Sequence, residues 1–484
     1  MVNPHTPGVV IAALGSGTGK TTIATGLMAA LAKEVQVAAF KVGPDYIDPS
    51  YHGLATGRRG RNLDSVLCGR DLIGPLYAHG SSDCDMSVVE GVMGLFDGRI
   101  THDDANLPAG VELPHGSTAE IAAILGMPVI LVVDVRGMSH TVGPMIHGLS
   151  TTHPDVHIGG VIFNQVGSSR HAAVCTQAVQ AYGIPVLGSI PRMDEVEVPS
   201  RHLGLITAGE LGSAQEAVAV MGQLVAAHID LQQLREIAGY RGGFAPWDPV
   251  AAVHDGASSS DTAASHPPGN DTDTPVSIAL AAGPAFSFTY VEHLELLRAC
   301  GAEVISFDPL HEPLPKCAGL IIPGGFPEEH VHNLSQAPAK QAISQAITAG
   351  MPVHAECAGL LWLVESLRGA TMLGVIPAQA DMHRLTLGYR EAVALEDSVV
   401  YHIGQRIHGH EFHHTTLRPR AGAPALEHNA WGWRGWDHNL VREGFVTPNV
   451  HASYLHVHPA AYPQACQRFV AAARNFAAHN EIHG

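Results

Sequence analysis

Near its beginning the chain passes from a short apolar run directly into a glycine-rich turn. Val9–Leu14 has the pattern of a buried strand, and Gly15–Gly19 then leads through Lys20 and Thr21 into a helical pattern. In this arrangement backbone N–H groups can wrap a phosphate, the lysine neutralises phosphate oxygens, and the threonine hydroxyl can ligate Mg²⁺. The strict phosphate-loop spacing would place glycine at Leu14, so a glycine turn with a lysine helix cap is the alternative. The residues predicted to bind ATP here are Gly17, Gly19, Lys20, Thr21 and Thr22.

Further apolar runs alternate with helical patterns along the first half of the chain. This alternation predicts an α/β fold with a parallel sheet and helices on both of its faces. The predicted strands are Val9–Leu14, Val35–Phe40, Met86–Val89, Val129–Val133, Gly160–Asn164 and Pro185–Ile190. A longer helical pattern follows at Ala214–Ile237.

The alternation stops and then starts again, which indicates a second domain. Ala257–Thr274 is rich in Ser, Asp, Thr, Pro and Gly and offers little apolar surface, so it predicts a linker, with a large ordered surface loop as the alternative. New strands are predicted at Val276–Ala282, Glu303–Phe307, Gly319–Ile322 and Pro352–Ala355. For a chain of 484 residues we therefore predict domains at 1–245 and 276–484, joined by a linker at 246–275.

Composition excludes several classes of partner. Lys and Arg number 27 against 45 Asp and Glu, and the resulting net charge of −18 repels nucleic acid and anionic membrane surfaces. The apolar stretch Ile121–Val133 is too short to span a bilayer, and no leader pattern precedes the first strand. The 7 cysteines form no CxxC pair. We expect a cytoplasmic protein with a small-molecule substrate, and a homodimer is left open.

Two acidic segments follow predicted strands. One carries Glu90 and Asp97, and the other carries Asp45 and Asp48. Ligands of open parallel sheets bind at the carboxyl ends of the strands, where carboxylates can hold Mg²⁺ beside a phosphate loop. Ordinary turn chemistry of Pro-Asp and Asp-Pro pairs is the alternative.

These segments carry a specific resemblance. Lys41–His52, Glu90–Gly98 and Arg201–Leu205 are similar to the synthetase domain of the cobyrinate and hydrogenobyrinate a,c-diamide synthases, which belong with dethiobiotin synthetase-like P-loop enzymes. The phosphate loop of those enzymes departs from the strict spacing in a similar way. The resemblance implies that ATP phosphorylates a carboxylate and that an amine captures the acyl phosphate. It also implies a magnesium site formed by Thr21, Asp48 and Glu90.

The same resemblance assigns further residues to ATP and to the substrate. Asn164 is similar to an asparagine that reads the adenine edge, with a turn-capping asparagine as the alternative. The residues implied at the substrate carboxylate are Asp45, Tyr46 and Asp97. Arg58 and Arg59, with Arg61 and Arg99, are candidates for holding an anionic corrinoid, against the alternative of a solvated basic turn.

A second reactive pattern lies in the later domain. After a predicted strand, Cys357 occupies a sharp turn into an apolar helix, as in a nucleophile elbow, where a helix N-terminus would stabilise the thiolate. The N–H groups of Ala358 and Gly325 are the expected oxyanion donors. His456 is the expected base, since it lies in a strand-like segment distant in sequence. A small buried cysteine is the alternative.

This set resembles the class I glutamine amidotransferase domain in its cobyrinate-type form, which includes a run like Gly409–His413. The resemblance implies Cys357 as nucleophile and His456 as base. Many class I relatives carry glutamate two residues after that histidine, where this chain has His458, so the third group of the set stays open. A metal cluster is a second interpretation of the histidines His408, His410, His413 and His414.

Together the resemblances imply a carbon–nitrogen ligase that uses MgATP and glutamine. The implied reaction is amidation of the a and c acetate carboxylates of hydrogenobyrinic or cobyrinic acid in cobalamin biosynthesis. Related alternatives are a cobyric acid synthase, a sirohydrochlorin-type diamide synthase and a peptidoglycan amidating enzyme. A ParA-like nucleotide switch with an inactive amidotransferase domain is the alternative from another class. The presence of cobalt in the substrate and the order of the two amidations stay open.

Overall fold

The structure is a computed structural model that describes residues 6–101, 112–192, 211–256, 274–420 and 428–480. It divides into two compact units, Met1–Trp247 and Asp248–Gly484. The run Arg201–Leu205 and most of the predicted linker lie outside the described residues. The boundaries of the predicted domains stay predictions.

The first unit alternates strands and helices, and the prediction of an α/β phosphate-loop unit is confirmed. Its strands are β1 (Gly8–Ala13), β2 (Val37–Val42), β3 (Arg61–Leu63), β4 (Met86–Glu90), β5 (Val129–Asp134), β6 (Ile158–Val166) and β7 (Val186–Pro191). Its helices are α1 (Lys20–Leu31), α2 (Asp48–Thr56), α3 (Ser65–Cys68), α4 (Arg70–Ser81), α5 (Thr118–Leu125), α6 (Val142–Ser150), α7 (Ser169–Gln180), α8 (Leu211–His228) and α9 (Leu231–Ile237). Within the described residues the strands form one parallel sheet in the order β3-β2-β4-β1-β5-β6-β7.

Both faces of this sheet are covered, as a parallel sheet requires. On one face, side chains of α1 and α8 such as Leu27 and Val225 pack in one core with Ile11 of β1. On the other face, the Tyr77 ring of α4 lies 5.1 Å from the Phe40 ring of β2. Because β1 lies between β4 and β5, its carboxyl end and the loop that follows occupy the middle of one sheet edge.

One predicted helix of the first unit is wrong in its extent. The pattern over Ala214–Ile237 forms two helices, because the chain is interrupted at Asp230. The Asp230 N–H donates to Leu187 O of β7 at 2.8 Å, and its carboxylate accepts the N–H of Gln233 at 2.9 Å as the cap of α9. The sheet edge therefore pulls the backbone out of the helix at a residue that can begin a new one.

The second unit combines a mostly parallel sheet with a second, largely antiparallel one. Its helices are α10 (Pro249–Gly256), α11 (Val291–Ala299), α12 (Val331–Ser335), α13 (Lys340–Thr348), α14 (Ala358–Leu363) and α15 (Pro463–His479). Its strands are β8 (Val276–Ala281), β9 (Ala302–Phe307), β10 (Gly319–Ile322), β11 (Val353–Glu356), β12 (Val364–Leu367), β13 (Ala370–Thr371), β14 (Ile376–Ala394), β15 (Arg406–Pro419), β16 (Trp431–Arg434), β17 (Leu440–Glu443), β18 (Phe445–Val446) and β19 (Val450–Ser453).

The first sheet of this unit has the order β18-β19-β11-β10-β8-β9, with only β18 antiparallel among its described strands. The second has the order β13-β12-β14-β16-β17, and β15 pairs with β14. The four predicted strands of this unit are found in the first sheet. The carboxyl ends of β10 and β11 are neighbours, which brings their two following turns together.

Helix α10 begins inside the range predicted as a linker. Val253 is buried, and its carbonyl accepts a hydrogen bond of 2.7 Å from Gln467 Nε2 on α15. These contacts place Pro249–Gly256 within the packed second unit. None of the described helices combines the length and the apolar character that a membrane span requires.

Candidate active sites

The glycine-rich loop connects the end of β1 to the start of α1. Gly17 and Gly19 have φ angles of 77° and 89°, in the left-handed region that favours glycine. A side chain at Gly19 would also collide with Asn164 at the end of β6. The Asn164 Nδ2 donates to Thr18 O at 2.9 Å, so this side chain holds the loop in place. Its predicted contact with adenine stays a prediction.

The predicted magnesium ligands lie together at the end of the sheet. Thr21 Oγ1 lies 2.6 Å from Glu90 Oε1 and 3.3 Å from Asp48 Oδ2. Lys41 Nζ bridges the two acids, at 2.6 Å from Asp48 Oδ2 and 3.0 Å from Glu90 Oε1. Lys20 Nζ lies 3.5 Å from the same Glu90 oxygen. A hydroxyl and two carboxylates that converge in this way form the hard oxygen set that suits Mg²⁺.

The charges of this cluster are strongly coupled. Burial and the Glu90 charge raise the pKa of Asp48 to about 6. Burial would lower the pKa of Lys41, but Glu90 and Asp48 raise it above its ordinary value. Burial and the charge of Lys41 lower the pKa of Lys20. Two lysines therefore balance two buried carboxylates, and Lys20 has the longer contact with Glu90 while it donates to Gly91 O at 2.6 Å.

His52 completes the surroundings of Glu90. The His52 Nε2 lies 2.7 Å from Glu90 Oε2, and both side chains are fully buried. Burial would raise the pKa of Glu90, but Lys41 and the hydrogen bond with His52 keep it well below its ordinary value. Neither Lys41 nor His52 was assigned to the site from sequence. The sequence feature that could have identified them is an ionisable side chain in an apolar strand, or shortly after it, close to acidic residues.

Two of the predicted substrate residues shape turns at the site. The Asp45 carboxylate accepts the N–H groups of Ile47 and Asp48 at 2.8 and 3.0 Å, and it lies 3.8 Å from Lys41 Nζ. The Asp97 carboxylate accepts the Gly94 N–H at 2.8 Å. Both acids therefore order the loops that follow β2 and β4, and their roles toward a substrate stay predictions.

The remaining predicted residues of this site lie around α2 and at the start of α1. Tyr46 is buried, and Thr22 is half-buried. Arg58 is half-buried and Arg59 is exposed in the turn after Gly57, which ends α2 with a φ of 70°. A role of the two arginines toward a corrinoid stays a prediction.

In the second unit, Cys357 forms the predicted elbow between β11 and α14. Its φ and ψ of 47° and −97° are strained for a residue with a side chain. The strain is held on both sides, because the Cys357 N–H donates to Ser453 O at 2.7 Å and its carbonyl accepts the Leu361 N–H at 3.1 Å. This geometry presents a nucleophile at the end of a strand.

The helix N-terminus is one of several influences on the Cys357 thiol, and its stabilisation of a thiolate stays a prediction. Burial and the nearby Glu328 raise the pKa of the Cys357 thiol, and Glu356 and Glu443 add to this effect. A hydrogen bond with the Ala358 N–H, at the start of α14, acts in the opposite direction and lowers the pKa. A raised pKa favours the neutral thiol, so a nearby base would be needed to form the thiolate.

His456 lies just beyond the end of β19 and is 1% exposed. It exchanges two backbone hydrogen bonds of 2.9 Å with His410 of β15. A Cβ on Gly324 would collide with the His456 ring, so the turn after β10 packs directly against the predicted base. His458 points elsewhere, with its ring centroid 4.3 Å from that of Tyr290.

The two predicted oxyanion donors follow neighbouring strands. Ala358 is the residue after the nucleophile, and Gly325 lies in the turn after β10. That turn is fixed by the Phe288 N–H, which donates to Gly324 O at 3.1 Å. A side chain at Gly325 would collide with Ala285 O, so glycine is needed for this close approach. The arrangement suits stabilisation of an oxyanion between two turns.

Strand β15 brings further residues to the thiol. Phe412 O lies 3.8 Å from Cys357 Sγ, and the His413 ring stacks on Tyr454 with centroids 3.7 Å apart. Glu411 accepts a hydrogen bond of 2.7 Å from Arg390 Nε. Nothing local in the sequence predicted these contacts, because each joins β15 to a residue far away in the chain.

The alternative of a histidine metal cluster finds no support among the described residues. His410 is buried whereas His408 and His414 are exposed. No described group of three or more His, Cys, Asp or Glu residues is arranged to hold a metal ion.

The two halves of the chain match two family models. Residues 9–206 match the CobQ/CobB/MinD/ParA nucleotide binding domain, and residues 277–463 match the CobB/CobQ-like glutamine amidotransferase domain. The fold and the two sites thus define the class: a nucleotide-binding unit followed by a class I glutamine amidotransferase unit.

Full-length relatives narrow the class to a family. Hydrogenobyrinate a,c-diamide synthase of Mycobacterium tuberculosis is 51% identical over 96% of this chain and 97% of its own length. The protein of the same name from Streptomyces coelicolor is 48% identical over 96% and 97%. Cobyrinate a,c-diamide synthase of a Synechococcus species is 38% identical over 96% and 100%. This chain belongs to the hydrogenobyrinate and cobyrinate a,c-diamide synthase family.

Proposed function

We propose that this chain is a ligase that amidates the a and c acetate carboxylates of hydrogenobyrinic or cobyrinic acid in cobalamin biosynthesis, with ATP and glutamine as co-substrates. The observation that carries the proposal is the presence of both sites, Thr21-Asp48-Glu90 and Cys357-His456, in a member of this family. The relatives from Mycobacterium tuberculosis and Streptomyces coelicolor, at 51% and 48% identity, are named for hydrogenobyrinate, which supports that acid as the first substrate to test. The other amidating enzymes and the nucleotide switch are not favoured.

The first unit would activate the carboxylate. The loop around Gly17 and Lys20 would hold the ATP phosphates. Lys20 Nζ lies 3.5 Å from Glu90 Oε1 and donates to Gly91 O at 2.6 Å, so it would exchange these contacts for the phosphates. Thr21, Asp48 and Glu90 would hold Mg²⁺, which supplies positive charge to the phosphates. The substrate carboxylate attacks the γ-phosphorus, ADP leaves, and an acyl phosphate forms. Ammonia then attacks the acyl carbon, phosphate leaves, and an amide results.

The second unit would release the ammonia. His456 takes the proton of the Cys357 thiol, and the thiolate attacks the amide carbon of glutamine. The N–H groups of Ala358 and Gly325 stabilise the oxyanion. The proton on His456 passes to the departing ammonia, which leaves a thioester on Cys357. Water then hydrolyses the thioester and releases glutamate.

Mass spectrometry of the two acids tests this proposal. Hydrogenobyrinic and cobyrinic acids are each incubated with the protein, MgATP and glutamine. Two carboxyl-to-amide conversions on one acid are expected, and the acid that reacts defines the metal preference. If neither acid reacts while glutamine is still hydrolysed, the substrate is a different carboxylate. If ATP binds and glutamine is not hydrolysed, the nucleotide switch replaces this proposal.

We also propose that the enzyme acts in the cytoplasm, where ATP and glutamine are supplied, and that its net charge of −18 excludes nucleic acid as a partner. A homodimer stays a prediction, and light scattering on the purified chain measures the mass that decides it.

A further inference from the structure

The parallel sheet of the second unit has one polar face at its centre. Side chains of a strand alternate between the two faces, and both faces of a buried parallel sheet are usually apolar. On β11 and β19 the apolar face carries Val353, Ala355, Val450 and Ala452. The opposite face carries His354, Glu356, His451 and Ser453. The paired residues His354 and His451 are buried to 7% and 2% exposure, so this polar row is internal.

Glu356 divides its two oxygens between two histidines. Its Oε2 lies 3.7 Å from His456 Nδ1, and its Oε1 lies 3.5 Å from His354 Nε2. The exposed fraction of the Glu356 side chain is 16%, against 1% for His456. The carboxylate therefore faces the predicted base from within the protein, and a second histidine holds it from the other side.

The charges around Glu356 are arranged to keep it anionic. Burial would raise its pKa, but the contact with His456 and the nearby His354 keep the pKa below its ordinary value. Burial and the neighbouring His354 lower the pKa of His293 to about 4, and burial also lowers the pKa of His354. Near neutral pH the row then consists of neutral imidazoles and one carboxylate that faces His456.

His458 does not face His456 as Glu356 does, although it occupies the position where many class I relatives carry glutamate. His458 Nε2 lies 3.9 Å from Glu292 Oε2, and both side chains are buried. His458 Nδ1 accepts the Ala460 N–H at 3.4 Å. Its ring packs on Tyr290. These contacts direct His458 away from the base.

We propose that Glu356 is the positioning residue of the amidotransferase site. Its carboxylate accepts the Nδ1–H of His456 and so directs Nε2 toward the Cys357 thiol, while His354 fixes the other carboxylate oxygen. The proton moves from sulfur to His456 Nε2 and then to ammonia, and Glu356 stays ionised throughout. The 3.7 Å contact is longer than a hydrogen bond, so it must shorten in the glutamine complex. This inference rests on the proposed function.

The variant Glu356→Gln tests the inference, with Glu292→Gln as the matched control. Both replace a glutamate that lies beside a buried histidine, but only Glu356 faces His456. Glutamine hydrolysis is measured from pH 5 to 9 in the presence of MgATP and the corrinoid acid. Glu356→Gln is expected to lower kcat by roughly 10²-fold to 10⁴-fold with KM for glutamine little changed. The acidic limb of the profile is expected to move to lower pH, because His456 loses the anion that stabilises its charged form.

The measured rates and pH profiles distinguish a failure of the positioning role of Glu356 from a failure of the proposed function. A Glu356→Gln profile equal to that of the wild type overturns the positioning role and leaves the proposed function intact. A lower rate with an unmoved limb also overturns it, because a structural defect alone gives that result. Glu292→Gln is expected to keep the wild-type limb, and an equal shift in this control likewise contradicts a specific role for Glu356. Wild-type protein that releases no glutamate overturns the proposed function itself.

A second variant covers a failure of Glu356→Gln to fold, which is checked by its thermal unfolding. His354→Gln keeps the carboxylate but removes its histidine partner on Oε1. We expect a smaller fall in kcat than for Glu356→Gln. A wild-type kcat in this variant contradicts the proposal that His354 fixes the Glu356 carboxylate.

Glu356→Asp then tests the role of the carboxylate itself. The aspartate keeps the charge but lengthens the contact, so it is expected to retain the acidic limb with a lower kcat, and an unchanged kcat overturns the proposal.

Discussion

At the scale of single residues, the proposed release of ammonia depends on one thiol. Cys357→Ala removes the nucleophile, so glutamine-dependent amidation should be lost while amidation with ammonium salts continues. The measurement is amide formation with each nitrogen source. Cys317→Ala is the matched control, because Cys317 is also a buried thiol but packs in the core against Met351. Loss of both activities in Cys357→Ala would contradict a division of labour between two sites.

In the first unit, the proposed activation of the carboxylate depends in the same way on one residue, Glu90. Glu90→Gln keeps the shape but removes the charge that Lys41, Lys20 and Mg²⁺ are proposed to share. ATP-dependent amidation from either nitrogen source should fall at least about 100-fold, while alkylation of the Cys357 thiol proceeds at the wild-type rate. Glu120→Gln is a suitable control, since Glu120 is equally buried but binds Ser65 and the Gly116 N–H. A normal amidation rate in Glu90→Gln would remove this residue from the metal site.

The same scale shows what local sequence can and cannot predict about a site. Cys357 follows a strand and starts a helix, so its position in an elbow is visible in adjacent residues. The partners of Glu90 are different, because Lys41 and His52 reach it from 49 and 38 residues away in the chain. Glu356 stands next to the nucleophile in sequence, but its approach to His456 depends on the pairing of β11 with β19. Such contacts follow from tertiary packing and carry no local signature.

At the scale of elements, the turn after β10 packs against His456, the predicted base. Gly324→Ala places a methyl group against the His456 ring, where the structure leaves no room for it. A displacement of about 1 Å in a catalytic group lowers rates by roughly 100-fold, so we expect kcat for glutamine hydrolysis to fall by that amount. Ammonium-dependent amidation should be retained. Gly148→Ala is the control, because a Cβ there meets no atom within 4 Å. A wild-type kcat for Gly324→Ala would mean that the ring has freedom to move.

Elements were predictable where their side chains are buried. The fully apolar runs of β1, β5 and β10 identified strands of parallel sheets. The long pair β14 and β15 gave no such signal, because residues 382–385 of β14 are exposed and its register shifts between Met382 and Thr386. The break between α8 and α9 was missed for another reason, since it depends on a hydrogen bond to β7 that the helical pattern does not reveal.

At the scale of the whole molecule, the polar face of the second unit should make its stability sensitive to acid. Burial and His354 lower the pKa of His293 from 6.5 to about 4, with Glu356 and His458 also nearby. As the pH falls through this interval the unfolded chain binds a proton that the folded chain does not, so stability present above pH 6.5 is lost toward pH 4. Between pH 6.5 and pH 4, this one histidine is expected to lower the free energy of unfolding by about 3 kcal/mol.

His293→Gln tests this dependence, because glutamine stays uncharged at every pH in the range. The difference in free energy of unfolding between pH 7 and pH 4 should be smaller in the variant than in the wild type. Urea unfolding, followed through the transition of the second unit at each pH, measures it. His311→Gln is the control, since His311 is largely exposed beside Asp308. An equal pH dependence in the wild type and in His293→Gln would show that His293 is solvated or charged in the folded protein.

The pairing of Lys20 and Lys41 with Glu90 and Asp48 has a consequence for how the first unit selects its nucleotide. A ligand that carries only negative charge can draw Lys20 away, but it leaves the two acids with less positive charge than before. A ligand that arrives with its own divalent cation compensates the acids at the moment when Lys20 turns to the phosphates. The positive charge that Lys20 withdraws from the acids would then be replaced by that of the divalent cation. Under the proposed function, the charges of the resting protein would therefore favour nucleotide that arrives with a divalent cation over nucleotide without one.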